Sequence, residues 1–104
     1  MSFDLRFSVA AHNDLARLFA FLLDKAETVE DLNLAKAAIE AIRSAALNQL
    51  AVTPYSPRIA GSSPTRRELI APFGASGYVA LYEIAGPGSV MLLAVRHQRE
   101  EDYH

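Results

Sequence analysis

Residues 66–103 decide the fold of this chain: RRELIAPFGASGYVALYEIAGPGSVMLLAVRHQREEDY. Two arginines enter a strand read over Arg66–Ala71, and Pro72 to Gly77 reads as the turn that follows. From Tyr78 to Ile84 the side chains alternate. That period of two puts Tyr78, Ala80, Tyr82 and Ile84 on one face, and Val79, Leu81 and Glu83 on the other. Gly86-Pro87-Gly88 is a hairpin-type turn. Ser89 to Arg96 is almost continuously apolar, which predicts a central strand with both faces partly covered. The remainder, Gln98 to His104, is charged and expected to be short and irregular.

Working outward, the earlier half of the chain supplies a cover for this sheet. Phe3, Leu5, Phe7 and Val9 alternate with polar residues and predict one more strand. The period then lengthens. Leu15, Leu18, Phe19, Leu22 and Leu23 recur at helical spacing from Ala10 to about Lys25, with Asp14, Arg17 and Asp24 assigned to other faces. Ser8, His12 and Asn13 are each able to cap this helix. Thr28 followed by Asp31 is a capping arrangement, so a second helix starts there and runs to about Leu50, with Leu32, Ala35, Ile39, Ile42, Ala46 and Leu50 on its apolar side. Its many alanines favour helix and allow close approach of a second helix. Pro54 and Pro57 end it, and a polar loop extends through Gly61 to Pro64. The expected fold is α+β: an N-terminal strand, an antiparallel two-helix hairpin, then a three-stranded antiparallel meander with the helices on one face.

Composition narrows the function classes. The 104 residues make one domain, residues 1–104, with no room for a second. Hydrophobic residues are 51% and charged residues 21%, the balance of a globular core rather than a disordered chain. Cysteine is absent, which excludes disulfides and thiolate metal sites. The start of the chain lacks the basic and apolar runs of a signal peptide, and no apolar stretch is long enough to cross a bilayer, so a cytoplasmic location is expected. The formal net charge is −2, and of ten basic residues only Lys25 and Lys36 are lysine. Proteins that bind phosphate backbones are usually strongly basic, so direct nucleic-acid binding is not favoured. His12, His97 and His104 share no metal-ligand spacing, and no glycine-rich phosphate loop is present, so neither metal nor cofactor is expected.

Two clusters carry polar chemistry at the end of the sheet. In the first, Arg66, Arg67 and Glu68 enter a strand. They read either as a contact surface or as a charged edge that discourages sheet-to-sheet pairing. The second is Arg96, His97, Arg99 and Tyr103. A histidine beside arginines is suited to proton transfer, and arginine with tyrosine to steadying a phosphate. From chemistry alone the structural role is favoured for the same residues, with His97 packed at the sheet edge and the arginines paired with Glu100, Glu101 and Asp102.

The order of these features resembles the RelE/ParE superfamily of type II toxin-antitoxin toxins. The resemblance spans nearly the whole chain. It rests on the opening strand, the helix with Asp14-Leu15, the second helix, and the loop from Pro54 to Pro57. It continues through Arg67-Glu68-Leu69, Tyr78-Val79-Ala80-Leu81-Tyr82 and the closing Val95-Arg96-His97-Gln98-Arg99-Glu100, which looks most like the ParE, or plasmid-stabilisation, branch. The resemblance implies a growth-arresting cytoplasmic bacterial toxin held in check by a cognate antitoxin, of the ParD-like ribbon-helix-helix type. For the ParE branch it implies DNA gyrase as the target, contacted by Arg66, Arg67, Arg96, His97 and Arg99. For the RelE branch it implies ribosome-dependent cutting of messenger RNA, with Arg66, Arg96, His97, Arg99 and Tyr103 as catalytic candidates. The shortage of basic residues favours the first. A third alternative is a non-toxic member that binds the antitoxin and co-regulates its operon.

Overall fold

The computed structural model describes residues 3–50, 54, 58–61, 64–74, 76–100, 102 and 103. Five strands form one sheet in the order β1-β5-β4-β3-β2. They are β1 (Asp4–Phe7), β2 (Arg58–Ile59), β3 (Arg66–Phe73), β4 (Ser76–Gly86) and β5 (Ser89–His97), and helices α1 (Val9–Lys25) and α2 (Val29–Ala45) lie between β1 and β2 in the chain. The expected α+β architecture is thus present, with the two-residue β2 added at the edge. The calls that fell on residues 51–53, 55–57, 62 and 63 of the loop lie outside the described residues.

Helix α1 begins one residue before the expected start, because the capping residue is Ser8. Its hydroxyl accepts from the backbone N–H of Ala11 at 3.0 Å. Val9 therefore belongs to the helix rather than to β1, and is 77% exposed instead of facing the core. At the start of α2 the Thr28 hydroxyl accepts from the Asp31 N–H at 3.1 Å, and the Asp31 carboxylate accepts from the Glu27 N–H at 3.0 Å. Two backbone donors at the helix N-terminus are satisfied reciprocally, as the Thr28/Asp31 spacing implied. The last turn of this helical stretch, Ala46–Leu50, widens to a π turn and buries Ala46 and Leu50.

The core lies between the helices and one face of the sheet. Leu15 and Leu18 of α1, Ala38 and Ile42 of α2, and Tyr78, Ala80, Tyr82 and Ile84 of β4 meet there with Val90, Leu92 and Val95 of β5. The residues of β4 that the alternation put on one face, Tyr78, Ala80, Tyr82 and Ile84, are together in this core. The turn after β3 is tighter than the Pro72–Gly77 span: Pro72 pairs with Gly77 and Phe73 with Ser76, so both strands continue into it. Gly77 is required by this close approach, since a Cβ there would lie 2.7 Å from the Ala71 carbonyl oxygen.

The feature that positions the polar residues is an irregularity in β5. Leu81 pairs with Ala94 but Tyr82 pairs with Leu92, so Leu93 is an extra residue, a β-bulge. A bulge reverses the in-out phase of the strand. Val90 and Leu92 face the helices before it, and Val95 and His97 face them after it; Arg96 consequently points to the opposite face.

Candidate functional site

Strand β1 runs parallel to β5 and pairs from Asp4↔Ser89 to Phe7↔Leu92, then ends. Beyond that point β5 has an unpaired edge next to α1, and side chains take over the hydrogen bonding. The Ser8 hydroxyl donates to the Leu93 carbonyl at 2.9 Å. Asp14 Oδ2 accepts from the Val95 N–H at 2.9 Å, and Arg17 donates to the Val95 carbonyl at 3.4 Å. Glu100 Oε2 accepts from the His97 N–H at 3.0 Å. A fork from Arg17 reaches both Glu100 oxygens, at 2.8 and 3.5 Å, and Arg17 Nε lies 3.8 Å from Asp14 Oδ1. This network fastens the start of the tail to the helix. Asp14 is 5% exposed, the buried charged residue among the described ones. Buried carboxylates persist where donors surround them, and here a backbone N–H and a guanidinium do so.

The reading of α1 placed Asp14 and Arg17 away from the core, and Asp14 corrects that reading. The signal was available. Asp14 is three residues from Ala11 and four from Leu18, inside the apolar stripe, where an unpaired acid would be costly.

The polar residues of the strand ends divide between two faces of the sheet. On the helix-facing side, His97 stands edge-on to Tyr78 with ring centroids 5.3 Å apart. Its Nδ1 accepts from the Arg99 backbone N–H at 3.1 Å, which assigns the ring proton to Nε2; that nitrogen then donates to Ser76 Oγ at 3.1 Å. Burial pushes the Tyr78 phenol above the ordinary range, so it stays protonated at neutral pH.

On the outer face, Arg96 donates to the carbonyls of Glu100 at 2.6 Å, His97 at 3.3 Å and Gln98 at 3.5 Å. Its guanidinium also lies over the Tyr103 ring, 5.2 Å from the centroid. The Tyr103 hydroxyl crosses to β3 and donates to Glu68 at 2.6 Å. Burial first, then this bond to a carboxylate, hold Tyr103 well above the ordinary phenol range. Arg66 lies 3.7 Å from Glu83. Arg67 is opposite Tyr82 on the core-facing rank. Burial raises the Tyr82 phenol to about 12 although the Arg67 charge opposes the rise. The Tyr82 hydroxyl donates to the Pro54 carbonyl.

The six sequence candidates therefore do not converge on one point. Arg66, Arg96 and Tyr103 share the outer face; His97 and Arg99 share the helix-facing side with Arg17 and Tyr78; Arg67 sits beside Tyr82. Among the described residues no group of three or more His, Cys, Asp or Glu is arranged to hold a metal ion. No described helix is long and apolar enough to cross a membrane.

Residues 5–102 match the family described as the ParE toxin of the type II toxin-antitoxin system, parDE. The chain belongs to this family. Toxin RelE1 of Caulobacter vibrioides is 34% identical over 101 residues, which cover 97% of this chain and 99% of that protein. A solved chromosomal ParDE toxin-antitoxin system from P. aeruginosa superposes with a TM-score of 0.65 over 91% of this chain and 95% of that one. At 16% identity, that superposition is a likeness of fold. The ParE-family chain is thus a toxin-type component of the RelE/ParE superfamily, as the order of its motifs implied.

Proposed function

We propose that this ParE-family chain arrests growth by binding DNA gyrase, in the cytoplasm, and that a ParD-like antitoxin of the ribbon-helix-helix type neutralises it. The observation that carries this reading is that His97, Arg96 and Tyr103 are each engaged by neighbouring groups of the chain itself. Cleaving RNA through its 2′-hydroxyl needs one group to take a proton and another to deliver one to the departing oxygen. In His97 the Nδ1 lone pair is held by the Arg99 N–H and the Nε2 proton by Ser76. Tyr103 keeps its proton, directed at Glu68. Arg96 is pinned by three main-chain carbonyls. What these residues present is a patterned polar surface, the property needed to recognise a protein. The net charge of −2 supports the same conclusion, because a long RNA is repelled rather than gathered.

Purified chain added to gyrase and relaxed plasmid is expected to abolish supercoiling, and growth arrest is expected to survive Tyr103→Phe, which leaves the ring in place. Unchanged supercoiling at large toxin excess, together with codon-phased cuts in translated message that disappear in His97→Ala, would replace this reading with the endoribonuclease. Absence of growth arrest altogether would leave the operon co-regulator.

A further inference from the structure

A cleft of ≈ 400 Å³ opens between α1 and the end of β5. Its walls include Phe21, Tyr78, Lys25, Arg17, Arg99 and Glu100. Three cations, Arg17, Lys25 and Arg99, stand there against one carboxylate, Glu100. The sign is opposite to that of the chain as a whole, which is −2. The single carboxylate is already matched: Glu100 takes the fork from Arg17. Neither Lys25 nor Arg99 forms an ion pair with a carboxylate among the described residues. Lys25 instead rests over the Phe21 ring, 4.6 Å from its centroid. Phe21 is 57% exposed, so an aromatic face flanked by two available cations is open to solvent. Tyr78 lines the same cleft as a protonated phenol with no hydrogen-bond partner among the described residues, and adds a donor.

Unmatched donors around an exposed aromatic ring select a ligand with both acidic and apolar parts. A phosphate chain would satisfy the cations but leave Phe21 in water, and its remaining charges would meet a negative protein. We propose that this cleft seats an acidic segment of the antitoxin, with carboxylates paired to Lys25 and Arg99 and an apolar side chain against Phe21. The inference rests on the reading that an antitoxin neutralises this chain. It adds where on the toxin that partner is held and by which chemistry. Because the rest of the surface is net negative, an acidic segment is attracted here and repelled elsewhere.

The test uses the full chain and the protein encoded by the reading frame beside it, titrated by calorimetry at two salt concentrations. Lys25→Glu and Arg99→Glu are each expected to weaken binding on the order of 100-fold, because like charges then face each other. Phe21→Ser is expected to weaken it about 10-fold or more. Lys36→Glu, on the groove between the two helices, is the control and is expected to change affinity less than about threefold. All four side chains are exposed, and circular dichroism checks that each variant is folded. Equal loss in the control, or no loss in the cleft variants, overturns the site while leaving the antitoxin reading intact. Failure of the wild-type chain to bind, with no relief of growth arrest on co-expression, overturns both. Displacement of the partner by an RNA oligonucleotide, weakened equally by Arg99→Glu, would overturn the acidic segment as occupant.

Discussion

Replacing Asp14 tests the account of how the tail is fastened to the helix. In Asp14→Ala the Val95 N–H loses the acceptor 2.9 Å away and remains buried. An orphaned buried donor costs about 1–3 kcal/mol, and the lost bond was to a charged acceptor. Arg17 loses the more distant of its two carboxylates, at 3.8 Å, keeps Glu100 at 2.8 Å and is about one-third exposed, so this part adds well under 1 kcal/mol. Alanine returns about 0.5 kcal/mol through helix propensity. The expected net loss is about 2–3 kcal/mol, a large share of the roughly 5–15 kcal/mol by which such domains are stable. Melting should drop by on the order of 10–20 °C. Asp14→Asn separates the parts, because its amide oxygen still accepts from Val95; the expected cost is about 1 kcal/mol. Urea unfolding followed by far-ultraviolet circular dichroism measures both. If alanine costs less than about 1 kcal/mol, or if the two variants unfold at the same midpoint, Asp14 does not complete the β5 edge.

Three other outcomes follow from the same geometry. Gly77→Ala places a methyl group 2.7 Å from the Ala71 carbonyl, between two backbones that cannot yield, and is expected to cost about 2 kcal/mol or more in the same denaturation assay. Tyr82 and Tyr103 both have folded-state phenol values raised by burial, Tyr82 to about 12. The folded chain therefore holds protons that the unfolded chain releases, and their contribution, complete below the ordinary phenol range near 10, is lost as pH rises towards 12 and above. Ultraviolet titration should show at least two late phenols that ionise together with unfolding, and ionisation of every tyrosine near 10 would contradict this. The Asp31 carboxyl is lowered, chiefly by the Glu27 N–H, so its support of the α2 N-terminus is present above the ordinary carboxylate range and is lost as pH falls through the lowered value. Its midpoint in a carbon-detected magnetic-resonance titration should lie below the ordinary aspartate range and rise in Thr28→Ala.

Much of the fold was legible because it rests on local period and local chemistry. Tyr78 to Ile84 alternates, and the two faces divide as that alternation read them, with Tyr78, Ala80, Tyr82 and Ile84 together in the core. Thr28 and Asp31 sit at capping distance, and they cap. Helix α1 and the two hairpins follow from apolar spacing and from glycine and proline at the turns. Local signals failed where a residue's partner is far away in the chain. Ser8 was one of three possible caps, and its other partner, the Leu93 carbonyl that it also bonds, is 85 residues away. The place of Asp14 inside the apolar stripe was local, but the donor that satisfies it there, the Val95 N–H, is 81 residues further on.

Period, capping and turn chemistry in the sequence determined an α+β chain with a helical hairpin over a meander, and the order of its motifs determined its superfamily. Only the tertiary structure decided that β1 lies parallel to β5 and stops at Leu92, leaving an edge that Ser8, Asp14, Arg17 and Glu100 complete. It alone showed the extra residue at Leu93, which reverses the phase of β5. The physical reason is that regular strand neighbours point to opposite faces, whereas the face each takes, and where a bulge breaks the alternation, depends on pairing with distant strands. Arg96 and His97 are adjacent in sequence and were read as one cluster; the single layer of sheet backbone lies between their side chains.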